Sequence, residues 1–202
     1  MTNVKALMGQ AVGLAAGLAA LFLLLLGAVT PLSAAPEAYN FDKSASKIDF
    51  IYQLNGNEIK GRVPVLAANI VLDFDRIGAS SMAITMGMAQ VRAGVFVATE
   101  AIKSESILNT AAYPQAVFVS RKVKQIRNGA VITGDLTLRG VTRELQMMAR
   151  FFRQQGTDPE DRSQLVLKVR GGFSRRDFGI TGYPDLVGDR IDLDILVYIN
   201  RR

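Results

Sequence analysis

Paired carboxylates are the residues of this sequence whose type and spacing could do chemistry. Asp73 and Asp75 lie two positions apart, as do Asp192 and Asp194. On a β-strand this spacing puts both members of a pair on one face, where they could transfer protons or bind calcium. Apolar residues occupy the intervening positions, so we expect those to face the core and all four carboxylates to face solvent. Neither pair is predicted to form a site.

Charged residues at Arg175, Arg176 and Asp177 form the second candidate site. The two guanidinium groups could hold an anionic headgroup, because arginine pairs well with phosphate and carboxylate groups. Alternatively, the three charges could pair with one another inside a loop. We favour the self-paired loop.

Histidine and cysteine are both absent from the 202 residues. Their absence excludes zinc sites with Cys or His ligands, haem bound through either residue, cysteine nucleophiles and histidine general bases. The glycines at 78, 87 and 94 lack the strand-to-helix setting of a phosphate-binding loop. We therefore predict that the protein is not an enzyme and uses no metal or cofactor.

Alternation of polar and apolar residues predicts that β-strands position these side chains. In the clearest segment, residues 132–145, the alternation resumes after Gly140, which predicts a β-hairpin with Gly140 at its tip and a positive φ there. Asn55-Gly56 predicts another hairpin, and Pro64 predicts a bend or a sheet edge. One helix is predicted at residues 99–108, with Thr99 as its N-terminal cap.

The strands and turns together predict one all-β domain. About eight strands joined by hairpin-like turns, with one short helix, are typical of a single antiparallel, lipocalin-like β-barrel. The sequence contains no βαβ alternation, internal repeat or low-complexity linker. We assign the barrel to residues 39–202.

Three segments carry a resemblance to a known family: GDLTLRGVTR at residues 134–143, ILNTAAYPQAVFVS at residues 107–120 and SRRDFGI at residues 174–180. Their residues, order and spacing resemble those of the YceI-like family of bacterial lipocalin-like proteins. The resemblance extends from Tyr39 to the C-terminus. It implies a secreted barrel with a helix at its rim, holding an isoprenoid or similar lipid such as a quinone or polyprenyl species.

Inward-facing rows of apolar side chains are expected to line the lumen of this barrel. Such a lumen suits a long apolar chain, because each buried methylene contributes up to ~0.8 kcal/mol. The residues predicted to line the lumen and contact the lipid are Phe50, Tyr52, Leu72, Phe74, Ile84, Met86, Met88, Phe118, Leu136, Leu145, Met147, Leu167, Leu193 and Ile195.

A leader precedes the predicted barrel. Lys5 is followed by an uncharged run at residues 11–29, and then by Pro31 and small residues. This order is typical of a secretory signal peptide, so residues 1–34 are predicted to be removed on export to the periplasm. The alternative is an uncleaved anchor in the inner membrane, because the apolar run approaches the ~20 residues that span a bilayer.

The net charge of +6 bears on possible partners. Basic residues are spread along the strands and tryptophan is absent, so we expect a solvated exterior that binds no nucleic acid. A basic exterior is compatible with transient contact with an anionic membrane surface. The alternative function is that of an interaction protein with a filled barrel, which binds a partner through its basic exterior or rim helix and carries no lipid. The oligomeric state is left open by the sequence.

Overall fold

A computed structural model of the chain describes residues 36–152, 158 and 161–202. The predicted signal peptide, residues 1–34, lies outside the described residues. Within them, no helix is long and apolar enough to cross a membrane.

Ten strands and one α-helix make up the described part of the chain. The strands are β1 (Glu37–Phe41), β2 (Lys47–Leu54), β3 (Asn57–Val63), β4 (Val65–Leu72), β5 (Ser81–Gly87), β6 (Gln115–Ile126), β7 (Gly129–Leu138), β8 (Val141–Phe152), β9 (Gln164–Ser174) and β10 (Arg190–Arg201). The helix, α1, spans Phe96–Lys103. Short 3-10 helices lie at Ile77–Ala79, Met88–Gln90 and Arg175–Phe178.

The sheet closes into an antiparallel barrel. Strands β4 to β10 pair in chain order, and β10 pairs on its free side with both β1 and β2. β1 pairs in turn with β4, and β2 pairs with β3. Thus β1 and β2 form one interrupted barrel strand, and β3 and β4 form another, which bends at Pro64. The closed barrel of eight strands with one short helix confirms the predicted fold class.

Two hairpin tips have the backbone conformation that their sequences favour. Asn55 and Gly56 have φ values of 50° and 77°, and Arg139 and Gly140 have values of 51° and 74°. Positive φ at both central residues is typical of a type I′ turn, which matches the twist of the two strands. The predictions for the Asn55-Gly56 hairpin and for Gly140 are confirmed.

The helix lies earlier in the chain than predicted. Val95 is its N-terminal flanking residue, and no side chain caps the helix there. Thr99, the predicted cap, lies inside the helix, and its hydroxyl accepts a hydrogen bond from the Ala93 N–H at 2.9 Å. The prediction was wrong because Gly94, with a φ of 84°, turns the chain into the helix before Thr99 is reached.

The barrel end opposite α1 is filled by side chains. Tyr39, Leu72 and Ile199 are almost fully buried there. The Phe74 ring contacts those of Tyr39 and Phe151, with centroids 6.4 Å and 5.9 Å away. Aromatic rings in such edge-to-face contacts fill the space between facing strands, so this end is solid core.

Candidate ligand-binding cavity

The other end of the barrel is hollow. A cavity of about 390 Å³ lies beneath α1, enclosed by inward-facing residues of most barrel strands and by the segment at residues 180–191. Its walls are aliphatic and aromatic apart from Arg175, the one charged side chain among the described residues that line it. A cavity of this size and polarity can hold a small apolar ligand.

Nine of the fourteen predicted lumen residues line this cavity. They are Phe50, Tyr52, Met86, Met88, Leu136, Leu145, Met147, Leu193 and Ile195. The structure thus brings together side chains from five strands and the short 3-10 helix at Met88–Gln90. That these residues bind a ligand remains a prediction.

The other five predicted residues do not line the cavity. Leu72, Phe118 and Leu167 are buried in the core, and Phe74 and Ile84 pack against it. All five have the expected apolar surroundings, but they belong to the filled part of the barrel. The Phe118 ring, for example, comes within 2.6 Å of where a Cβ at Gly134 would be, so the glycine gives that ring its space.

Small residues account for the space at the open end. Ala93, Ala98, Ala101 and Ala116 occupy positions on the cavity wall where larger side chains would fill the void. The alternation pattern indicated only that these positions are apolar, or that they belong to the helix or to the segment that leads into it. The size of the side chain, rather than its polarity, was the signal that could have separated the hollow end from the solid one.

Residues outside the strands also line the cavity, and apart from Met88 none of them was predicted to do so. They come from α1 and its flanking residues and from the segment at residues 180–187. An apolar run, Val95-Phe96-Val97, directly after Gly94 was the available signal, because three consecutive large apolar residues at the start of a helix are unusual at a fully solvated surface.

Arg175 shapes the wall that contains it. It is only 3% exposed. Its Nε donates to the carbonyl of Gly188 at 3.1 Å, and Nη2 donates to that of Val187 at 2.9 Å. Nη1 donates to the carbonyls of Ile180 and Gly182 at 3.2 Å and 2.7 Å. One guanidinium group therefore holds the segment at residues 180–188 against the barrel.

The prediction that Arg175, Arg176 and Asp177 pair with one another is wrong. Arg175 pairs with backbone carbonyls, and burial lowers its pKa. Arg176 pairs with Asp189, with 3.6 Å between Nε and Oδ1, and not with Asp177. The local sequence could not identify the partners of Arg175, because they are carbonyls of residues 180–188, further along the chain.

Tyr52 supplies a second polar tie at the cavity. Its hydroxyl donates to the carbonyl of Ala93 at 2.8 Å. Burial raises the pKa of this phenol, because the ionised form loses solvation. The hydroxyl therefore stays protonated and links β2 to the segment that leads into α1.

The carboxylate pairs behave differently from each other. Asp73 is only 2% exposed, which contradicts its predicted place in solvent. It accepts the N–H groups of Asp75 and Arg76 at 3.1 Å and 2.7 Å, so it stabilises the turn after β4. Asp75 is exposed, as expected. The backbone N–H of Arg76 is the main reason that the pKa of Asp73 is lowered.

Asp192 and Asp194 lie on the outer face of β10 as expected, where Asp192 pairs with Arg190 at 2.8 Å and Asp194 with Arg170 at 3.4 Å. Within the described residues, no three acidic side chains are grouped as metal ligands would be.

The closed antiparallel barrel of eight strands, with an apolar cavity at one end, places the protein in the class of lipocalin-like barrels. The YceI-like domain matches residues 39–199, which is more than half of the chain. The chain therefore belongs to the YceI-like domain family.

Relatives in sequence and structure agree with this assignment. Protein YceI of Escherichia coli O17:K52:H18 is 38% identical over 96 residues, which cover 48% of this chain and 50% of that protein. The chain thus spans about half the length of the first curated relatives it matches. The UPF0312 protein ECA1782 of Pectobacterium atrosepticum is 29% identical over 184 residues, covering 88% of this chain and 94% of that protein.

Two solved structures show the same fold. BcnA of Burkholderia cenocepacia superposes with a TM-score of 0.71 at 16% identity, covering 79% of this chain and 99% of that one. The Campylobacter jejuni YCEI protein has a TM-score of 0.56 at 22% identity, covering 70% of this chain and 84% of that one. At these identities the likeness concerns the fold alone.

Proposed function

We propose that this barrel holds an isoprenoid-type or other long-chain amphiphilic lipid in its cavity, for transport or storage in the periplasm. The observation that carries the proposal is the apolar cavity of about 390 Å³, whose wall contains a single charged residue among the described part of the chain. Each methylene that leaves water for such a cavity contributes ~0.8 kcal/mol. Membership of the YceI-like family supports the same class of ligand.

The composition of the cavity favours binding over catalysis. Its described lining includes the phenols of Tyr52 and Tyr183 and the guanidinium of Arg175, but no carboxylate, serine or lysine. General acid–base or nucleophilic catalysis needs a group that gains and loses protons near neutral pH. The side chains at this site can shape and hold a ligand, but they offer no such group.

Two adjacent methionines on β8 provide the test of this function. Met147 lines the cavity, whereas its neighbour Met148 points outward and is exposed. In Met147→Lys an ammonium group would enter an apolar space, where an unpaired charge costs several kcal/mol. We expect the lipid that co-purifies with the protein from its own host to fall at least about tenfold in Met147→Lys. Met148→Lys should retain it.

Mass spectrometry of organic extracts from the purified variants gives the lipid content per protein. Circular dichroism first establishes that both variants are folded, because disruption of the core would mimic loss of the ligand. Met86→Lys repeats the experiment from β5, on another part of the cavity wall. Full lipid content in folded Met147→Lys and Met86→Lys would contradict the proposal. A wild-type protein without lipid would favour the interaction protein with no lipid ligand.

A further inference from the structure

Five large apolar side chains stand in solvent at the open end of the barrel. We call Val95, Phe96, Val97, Tyr183 and Leu186 the apolar rim. Phe96 and Val97 are 79% and 78% exposed, and the other three are about half exposed. All but Phe96 also line the cavity. The apolar rim is therefore the place where the apolar wall of the cavity continues onto the outer surface.

Hydrogen bonds hold the apolar rim in this exposed position. The N–H of Leu186 donates to the carbonyl of Tyr183 at 3.2 Å, which closes a turn. The N–H of Asn55 donates to the carbonyl of Leu186 at 2.7 Å, which ties the turn to the tip of the β2–β3 hairpin. The N–H of Thr99 donates to the carbonyl of Val95 at 2.9 Å in the first turn of α1. These side chains project from an ordered backbone.

α1 has an inward apolar side as well. Ala98, Ala101 and Ile102 line the cavity from the helix. They give the helix its contact with the barrel, so the packing of the helix does not require Phe96 at its outer end. Packing within the protein therefore does not explain the large aromatic side chain of Phe96, and its exposure to water is unfavourable. Such a side chain indicates a surface that is covered by a membrane or by another molecule.

Cations border the groove next to Phe96. Arg62, Arg92 and Lys103 line this groove with Glu100. Arg62 pairs with Asp49 at 2.6 Å and Lys103 with Glu100 at 3.0 Å, whereas Arg92 takes part in no ion pair within the described residues. Together with the net charge of +6 for the chain, this leaves positive charge beside the apolar rim.

We propose that the apolar rim docks on an anionic lipid bilayer, with Phe96 and Val97 inserted among the acyl chains near the headgroups and Arg92 facing the headgroups. This inference rests on the proposed function. A lipid that moves between a bilayer and the cavity must not cross water with its chain exposed, since hydration of the chain is unfavourable. Contact between the apolar rim and the bilayer gives the chain an apolar path from one to the other.

Charge favours a bilayer over a second copy of the chain as the molecule that covers this surface. A symmetric dimer through the apolar rim would bring the same cations of both copies together, and like charges oppose such a contact. An anionic bilayer attracts these cations, and aromatic side chains such as Phe96 and Tyr183 are favoured at the membrane interface. The two surfaces are therefore complementary in both charge and polarity.

The absence of tryptophan from the chain allows a direct test. Phe96→Trp and Val119→Trp each introduce a single fluorophore, the first on the apolar rim and the second at an exposed site on the outer face of β6. The exported protein, purified from the periplasmic fraction of its host so that the apolar leader at residues 1–34 does not itself bind the bilayer, is mixed with vesicles of phosphatidylethanolamine and phosphatidylglycerol, some of which carry brominated acyl chains. We expect the fluorescence of Phe96→Trp to shift to the blue and to be quenched by the brominated chains, and that of Val119→Trp to remain unchanged.

A second experiment measures how much the apolar rim contributes. The double variant Phe96→Ser/Val97→Ser should bind these vesicles about tenfold or more weakly than the wild type, because two large apolar side chains are lost. Val119→Ser/Met148→Ser, which removes two exposed apolar side chains from the barrel wall, should bind like the wild type. Higher salt should weaken wild-type binding, since it screens the attraction between cations and anionic headgroups.

Three outcomes would overturn the docking proposal. The first is equal quenching, or none, in the two tryptophan variants. The second is equal vesicle binding by the two double variants. The third is a blue shift of Phe96→Trp that depends on protein concentration without vesicles, which would identify a second copy as the partner. Lipid content is measured on the same samples. Protein that carries lipid but ignores vesicles would refute the docking alone, whereas lipid-free wild-type protein would refute the proposed function.

Discussion

At the scale of single residues, two aspartates are buried although their sequence positions predict exposure, because each is covered by the groups with which it forms hydrogen bonds. Asp49 lies on the outer face of β2 and is nevertheless only 5% exposed. Lys60 and Arg62 on β3 pair with its carboxylate at 2.8 Å and 2.6 Å and cover it. Asp73 is covered in the turn whose N–H groups it accepts. Both positions look like ordinary solvent-facing ones in the sequence.

The pairs of Asp49 predict how stability depends on pH. Burial raises the pKa of its carboxyl, but the hydrogen bonds and charges of Arg62 and Lys60 outweigh burial and leave the pKa below its ordinary value. In the unfolded chain the pKa is about 3.9. The native state therefore binds the proton less readily than the unfolded state does. The stabilisation that ionised Asp49 gives the native state is complete above the unfolded pKa, and it should be lost as pH falls from about 5 through the lower pKa of the native state.

Denaturant unfolding between about pH 6 and pH 2 measures this contribution, since a carboxylate held in ion pairs must be protonated over this interval. Asp49→Asn should be less stable than the wild type near neutral pH and should lose less stability on acidification. Glu58→Gln, at an exposed position on the adjacent strand β3, is the control. Parallel stability curves for Asp49→Asn and wild type would show that the ion pairs of Asp49 contribute nothing.

At the scale of elements, the hairpin tips hold the open end of the barrel together. Arg139 accepts a positive φ of 51°, which an arginine rarely adopts. Its Nη1 donates to the carbonyl of Gly179 and its Nη2 to that of Glu105, both at 2.9 Å. The tip of the β7–β8 hairpin therefore links the segment after α1 to the turn after β9, and these contacts offset the backbone strain.

Two glycines at equivalent turn positions predict different costs for the same substitution. Gly56 and Gly140 both have positive φ, so valine at either should cost at least about 1 kcal/mol of unfolding free energy. A Cβ at Gly56 would have no neighbour within 4 Å among the residues that the structure describes, whereas one at Gly140 would lie 2.7 Å from Cε1 of Tyr113. Gly140→Val should therefore lower the melting temperature more than Gly56→Val. An unchanged melting temperature in Gly140→Val would refute the turn geometry.

At the scale of the whole molecule, one barrel combines a solid end with a hollow end. The solid end contains the ring cluster around Phe74, over which the guanidinium of Arg162 lies at 4.6 Å from the ring centroid. The hollow end contains the cavity and the apolar rim. Stability can thus be supplied by one half of the barrel, while the other half keeps the space that a ligand requires.

Export to the periplasm remains a prediction at this scale. The order of a lysine, a long apolar run and small residues within residues 1–34 predicts cleavage after Ala34. N-terminal sequencing of the protein from the periplasmic fraction of its host should give a mature chain that begins near Ala35. Membrane-bound protein that retains Met1 would identify the leader as an anchor instead.

Local patterns in the sequence were sufficient for the fold class. Alternation assigned Leu136 and Met147 to an inward face, and the turn residues Asn55, Gly56 and Gly140 placed the hairpins, because side-chain direction and turn type depend on residues close together in the chain. The same patterns predicted the number of barrel strands. Polarity along a strand records only whether a side chain faces inward or outward.

Only the tertiary structure decided which inward side chains enclose a space. Phe118 and Met147 both face inward, yet Phe118 packs into the solid end and Met147 borders the cavity. This distinction depends on which side chains meet across the barrel from strands distant in sequence, and on how much volume they fill there. Arg175 was misjudged for a related reason: its partners are backbone carbonyls of residues 180–188, which the fold brings into contact with it. Asp73 was misjudged for a local reason, because it belongs to the turn after β4, whose N–H groups it accepts, and not to a solvent-facing strand position.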